Sequence, residues 1–193
     1  MTHHGSKVTL HMVASLDGYI AREDGSTDWM ATHDEYLPGA SMDSEFIDAF
    51  LATIDCYVMG SRTYEVALDF EAKGAGWAYG DKPVHVLSTR RLPHRRESVQ
   101  FHAGDLTEIV NSRLRPNHSS VWIVGGPTII AECFRRRLAD EVYYSVLPIL
   151  IGSGIRFFGE LTGDVALHLA DVKAYRSGMV EMRYEIPIVA DTY

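Results

Sequence analysis

Apolar and polar positions alternate in two rhythms along this chain, and the rhythms take turns. Residues 7–14 set Val8, Leu10 and Met12 against Thr9 and His11 and then run apolar, which predicts a central strand. Asp17-Gly18 is a turn signal, and a polar loop over 22–27 follows, into which Asp28-Trp29-Met30 sets a large aromatic. Residues 43–54 change to helical spacing, with Phe46, Ile47, Phe50, Leu51 and Ile54 on one face, Ser41 as the expected cap, and Asp43 and Glu45 in the first turn. Strand character returns over 55–60, and a helix is expected to start at Gly60-Ser61-Arg62-Thr63-Tyr64-Glu65. Residues 83–87 and 99–101 read as strands, and 105–114 as a helix with Leu106, Ile109, Val110 and Leu114 inward.

The run Val121-Trp122-Ile123-Val124 ends at Gly125-Gly126, and Pro127 opens a helix carrying Ile130, Cys133, Phe134 and Leu138 on one side. A β-branched and aromatic run over 140–151 is broken by Pro148 and closed by Gly152-Ser153-Gly154. Residues 165–175 and 179–189 are both of strand pattern, and Ser177-Gly178 between them marks a hairpin. Alternation of strands and helices predicts an α/β fold, a mostly parallel central sheet with helices on both faces. The terminal hairpin is expected to add antiparallel strands at its edge.

A chain of 193 residues suits one domain, taken as 7–193, with 1–6 and its His3-His4 set aside as a tag remnant or disordered segment. A net charge of −8 argues against nucleic acid as the partner. No apolar run is long enough to span a bilayer and no secretory signal opens the chain. Cys56 and Cys133 lie within apolar runs and offer neither a disulfide framework nor metal-ligand spacing. A cytoplasmic protein without metal or membrane partner is the expectation.

Three turns at strand carboxyl ends suit an anion. Gly125-Gly126 lets backbone approach a ligand at the N-terminus of a helix; Gly60 to Thr63 groups a glycine, hydroxyls and Arg62; Ser88-Thr89-Arg90-Arg91 groups two hydroxyls with two cations. Each alone is equally well a turn that binds nothing. In parallel sheets ligands bind outside the strand carboxyl ends, so three such turns together point to a dinucleotide.

The stretch Ser15-Leu16-Asp17-Gly18-Tyr19-Ile20-Ala21, the turn from Gly60 to Glu65, Val124-Gly125-Gly126-Pro127, and Leu147-Pro148-Ile149-Leu150-Ile151-Gly152-Ser153-Gly154-Ile155-Arg156-Phe157-Phe158 resemble, in this order, the dihydrofolate-reductase-like superfamily. The nearest branch is the C-terminal reductase domain of the riboflavin-biosynthesis deaminase/reductase. The resemblance implies that Gly125 and Gly126, often joined by a cis peptide, contact nicotinamide and pyrophosphate, that Thr63 binds pyrophosphate, and that Ser88, Thr89 and Arg90 meet a 2′-phosphate. Ala14, Gly60, Ser61, Arg62, Val124, Pro127 and Thr128 complete the implied NADPH set. The family pattern has arginine directly after the second-turn glycine, whereas this chain has Ser61 and then Arg62.

For the substrate the resemblance implies an acid opposite the nicotinamide, held at a raised pKa to supply a proton. Asp17 matches the riboflavin branch. The folate branch places its acid on the first helix, and its register falls on Ser44, between Asp43 and Glu45. Ser145 stands where the folate enzymes use a threonine; Trp29, Asp43 and Phe46 complete the implied substrate site. The expected activity is an NADPH-dependent oxidoreductase passing hydride to a C=N carbon of a pyrimidine or pteridine, as in 5-amino-6-(5-phosphoribosylamino)uracil reductase. The alternatives are dihydrofolate reductase proper and a non-catalytic nucleotide-binding module of the same fold. A homodimer is expected, from the resemblance and from the apolar residues of the hairpin and Tyr143-Tyr144.

Overall fold

A computed structural model describes residues 5–187. The set-aside residues 1–4 and the last two positions of the expected hairpin, 188 and 189, lie outside that range. The chain runs β1 (Lys7–Ser15), β2 (Tyr19–Ala21), a short 3₁₀ turn (Asp28–Met30), α1 (Ser44–Ala52), β3 (Cys56–Gly60), α2 (Ser61–Ala72), β4 (Val84–Leu87) and β5 (Val99–His102). It continues with α3 (Leu106–Glu108), which widens into a π-helical turn (Ile109–Leu114), then β6 (Ser120–Gly125), α4 (Pro127–Arg135), β7 (Glu141–Leu147), β8 (Ile155–Arg156), β9 (His168–Ala174) and β10 (Val180–Glu185).

Eight strands form one sheet in the order β5-β4-β3-β6-β1-β7-β10-β9. Every pairing from β5 to β7 is parallel, and the pairs β7–β10 and β10–β9 are antiparallel, which is the expected hairpin at the edge. The chain leaves β1 for β3 and returns to insert β6 between them. The carboxyl ends of β1, β3 and β6 therefore sit side by side where the order reverses, which is where such sheets bind ligands.

Alternation along the strands decides which helices each face receives. Val8, Leu10, Val58, Val121 and Ile123 pack with Leu106, Ile109, Val110, Leu114, Ile130 and Cys133, so α3 and α4 cover one face. Tyr57, Met59, Val84, Val86 and Trp122 pack with Phe50 and Leu51 of α1 and with Tyr64 and Leu68 of α2, so these two helices cover the other. Fully burying one side chain such as Leu10 or Ile123 stabilises the fold by about 1.5–3 kcal/mol. Lys82 ties down the end of α1 by donating to the carbonyls of Leu51 and Ile54.

Local details depart from the sequence reading. Asp43, not Ser41, caps α1, its carboxylate accepting from the Phe46 amide at 2.9 Å. Asp105 caps α3 in the same way, and the expected regular helix after it becomes a π turn. The stretch after Gly18 and the stretch after Gly154 pair as the two-stranded β2–β8 sheet, which alternation over two or three residues is too short to signal.

Candidate active site

β6 ends in a Gly125–Gly126 peptide that is cis, as the resemblance implied. Gly125 has φ +126, a region that disfavours a side chain, and its place beside Met12 would leave a Cβ 3.6 Å from the sulfur. Gly126 is different. Its backbone is extended and open to any residue, and an added Cβ would meet nothing nearer than the Thr63 hydroxyl at 3.9 Å. Gly126 precedes α4, whose first residue is Pro127, and Gly60 precedes α2, whose third residue is Thr63. β3 and β6 are neighbours, so the amide-rich starts of α2 and α4 open onto one space between Thr63 and Gly126. Ala14 lies buried on β1 beyond the end of β6, Val124 is half-buried, and Thr128 is exposed on α4.

Beside this space is a cleft of about 350 Å³ lined by Ser61, Leu87, Ser88, Thr89, Arg90, His102, Ala103 and Gly104. The Arg90 guanidinium spans both Glu65 oxygens, at 2.5 and 3.1 Å, and its amide donates to the Ser88 hydroxyl at 2.9 Å. Arg90 is thus oriented by Glu65. Arg62 is exposed and is not among the lining residues, so the Ser61-Arg62 departure leaves Arg90 as the cation of the cleft. Open backbone at Gly126, two helix starts, and hydroxyls with one cation fit the pyrophosphate and 2′-phosphate of a dinucleotide.

On the other side of β1 the expected acids fare unequally. The Asp17 carboxylate accepts from the Ser15 hydroxyl at 2.6 Å and from the amides of Ile151 and Gly152 at 3.2 and 2.7 Å. The Ser15 hydroxyl, then those amides, hold its pKa below the ordinary carboxylate range. A raised pKa, the property expected of it, is therefore absent; Asp17 fastens the loop after β7 to the end of β1. Asp43 is spent on the α1 cap, and Glu45 is exposed on the first turn of that helix. Trp29 is buried with Leu147, Tyr175 and Met179, and Phe46 packs against the same group, so these two share one wall.

Ser145 is buried and anchors a polar group that strand alternation disguised. His11 Nε2 lies 3.2 Å from the Ser145 hydroxyl, and Glu181 stands beside Ser145 in the β10–β7 register. The Tyr175 hydroxyl donates to Glu181 Oε1 at 3.1 Å. Burial raises the Glu181 pKa, against the pull of Tyr175 and of Lys173. Burial also pushes His11 down to about 4, so its ring is neutral, stacked on Trp122 at 4.4 Å. The raised carboxyl on this face is Glu181, a residue the sequence reading passed over. Glu181 and His11 alternate with apolar neighbours exactly as solvent-facing strand residues do; only a sheet covered on both faces turns them inward.

The fold and this site define an α/β protein of the dihydrofolate-reductase-like class. A family model described as the RibD C-terminal domain matches residues 6–180, and the chain belongs to that family. It is 31% identical over 179 residues to the uncharacterized protein YwjB of Bacillus subtilis, covering 92% of this chain and 97% of that one. A solved structure described as a putative riboflavin biosynthesis protein from Shewanella sp. PV-4 is 27% identical, with a TM-score of 0.76 over 94% of this chain and 99% of that one. The dihydrofolate reductase of Enterococcus faecalis, solved in complex with NADP(H), shares the fold with a TM-score of 0.56 at 17% identity, over 93% and 95% of the two chains. Among the described residues no helix is long and apolar enough to cross a membrane.

Proposed function

We propose that the protein is an NADPH-dependent reductase that acts on a C=N bond of a small pyrimidine- or pteridine-type substrate. The observation that carries this reading is the Gly125–Gly126 turn at the order reversal of the sheet, facing Thr63 of α2, whose first residue, Ser61, lines the Ser88–Thr89–Arg90 cleft. NADPH, when bound, supplies the hydride, and is left as NADP⁺. Gly126 and Thr63 hold the pyrophosphate, and Ser88, Thr89 and Arg90 hold the 2′-phosphate, for which Arg90 exchanges part of its pairing with Glu65. On the substrate side Phe46 and Trp29 form the apolar wall. The proton that joins the substrate nitrogen is assigned to Glu181, whose carboxyl burial raises above its ordinary range and which stands beside Ser145. Resemblance to the riboflavin branch makes 5-amino-6-(5-phosphoribosylamino)uracil the first substrate to try. Of the other two readings, dihydrofolate reductase proper has less support, because the first-helix acids are a cap and an exposed side chain.

The test is a titration of NADPH and NADH, following nicotinamide fluorescence and melting temperature, on wild type and on Thr89→Ala/Arg90→Ala. Tighter binding of NADPH than NADH, with the difference reduced at least tenfold in the double variant, is expected. Binding of neither nucleotide sinks the proposal. NADPH binding with no oxidation by any pyrimidine or pteridine favours the non-catalytic module.

A further inference from the structure

Outside the candidate active site one cluster combines chemistry with an unanswered polar atom. Cys56 opens β3, His85 lies on the neighbouring strand β4, and His118 lies just before β6, the strand on the other side of β3. One ligand atom from each of the three lies within 4.8 Å of the others. The cluster sits toward the amino ends of these strands, away from the carboxyl-end turns. Cys56 is fully buried and His85 is 5% exposed.

His85 is wired as a ligand is. Its Nδ1 is 2.9 Å from His102 Nε2, whereas its Nε2 is buried with no hydrogen-bond partner. A buried ring nitrogen without a partner is costly, so an unanswered one asks for an occupant. In the tautomer where Nδ1 donates to His102, Nε2 carries the bare lone pair, the arrangement outer partners impose on metal-bound histidines. The loop bearing His118 is held in place independently, since Asp55 Oδ2 accepts from the amides of Ser119 and Ser120 at 2.7 and 2.9 Å. His118 in turn packs edge-on to His85, ring centroids 5.8 Å apart.

We propose that Cys56, His85 and His118 bind a borderline-soft divalent ion of the zinc class. One thiolate and two imidazoles suit such an ion and not magnesium or calcium, which demand oxygen. Bonds of about 2.0–2.3 Å would bring the three ligand atoms to roughly 3.3–3.7 Å apart, a contraction that a small turn of the half-buried His118 ring supplies. Binding displaces the Cys56 proton to solvent and ties β3, β4 and the entry to β6 together. Their separation in sequence, 56, 85 and 118, has none of the short spacings by which metal sites are read, which is why the sequence pattern excluded a metal.

The experiment is a titration of chelator-treated full-length protein with Co²⁺, read by absorption, and with Zn²⁺, read by melting temperature. One Co²⁺ per chain with a thiolate-to-cobalt charge-transfer band and intense tetrahedral d–d bands is expected, together with a rise in melting temperature with Zn²⁺. Cys56→Ala should abolish the charge-transfer band, and His118→Ala, at a half-exposed loop position that the fold tolerates, should weaken Co²⁺ at least tenfold. Absence of the charge-transfer band in wild type overturns the proposal, as does a band unchanged in Cys56→Ala or an affinity unchanged in His118→Ala. Co²⁺ taken up by His3 and His4 alone would show no thiolate band and would count against the site.

Discussion

Tyr175, fully buried at the end of β9, donates its hydroxyl to Glu181 on β10 at 3.1 Å. The pair straddles the start of the hairpin, and burial lifts the Glu181 carboxyl above its ordinary value of 4.5. A carboxyl raised on folding binds more protons in the native than in the unfolded state, so its contribution to stability is present below pH 4.5 and is lost as pH rises through the folded value. Glu181→Gln keeps a hydrogen-bonding group next to Tyr175 and removes that ionisation. Its melting temperature should fall less than that of wild type as pH rises from about 5 to 8. If Glu181 holds the transferred proton, kcat should also fall at least tenfold with KM little changed. A melting profile parallel to wild type would show that Glu181 ionises as an exposed carboxylate does.

Gly126 separates a structural from a functional glycine. Gly125 needs its positive φ, whereas Gly126 is extended and an added Cβ there would meet only the Thr63 hydroxyl, at 3.9 Å. Gly126→Ala should therefore melt within about 2–4 °C of wild type, the shift for a change near 1 kcal/mol, while binding NADPH at least tenfold more weakly. Equal affinity in the two proteins would place the pyrophosphate elsewhere.

Asp17 joins the end of β1 to the loop after β7 through two backbone amides. Its lowered pKa gives the opposite sign to Glu181: the contribution is present above pH 3.8 and is lost as pH falls through the folded value. Asp17→Ala should lower the melting temperature at pH 7 and lose most of that deficit below pH 3. A variant that melts like wild type at pH 7 but loses kcat would return Asp17 to the chemistry.

Most of the fold was legible because strand and helix spacing alternate cleanly from residue 7 to 147 and because glycine marks the turns. The three candidate turns were legible for the same reason: Gly60 and Gly125 each end a strand, Ser88 follows one, and a parallel sheet brings strand ends together. The polar side of the site was not. His11 reads as an outward position on β1, yet α1 delivers Phe50 onto it, 6.3 Å between ring centroids, and Trp122 stacks beneath. Asp17 reads as an acid at the right place, but its partners, Ile151 and Gly152, are contributed by a loop 134 and 135 residues away. Distances in sequence of that size are what local pattern cannot carry.

The edge strand β9 leaves Leu169 49% and Val172 57% exposed, with Leu167 exposed just before it. A strand edge presents unpaired amides and carbonyls, and apolar side chains along it add a surface that water disfavours. We propose that a second copy of the chain covers this edge. Phe46 of α1 touches Lys173 of the same strand, the ammonium 4.3 Å above the ring, so such an interface would also brace the wall of the candidate substrate site. Light scattering at micromolar concentration should give twice the chain mass of 21.6 kDa, and Leu169→Lys/Val172→Lys should halve it without unfolding the protein. A wild-type mass of one chain would remove the dimer and leave β9 as a solvated edge guarded by Lys173 and Asp171.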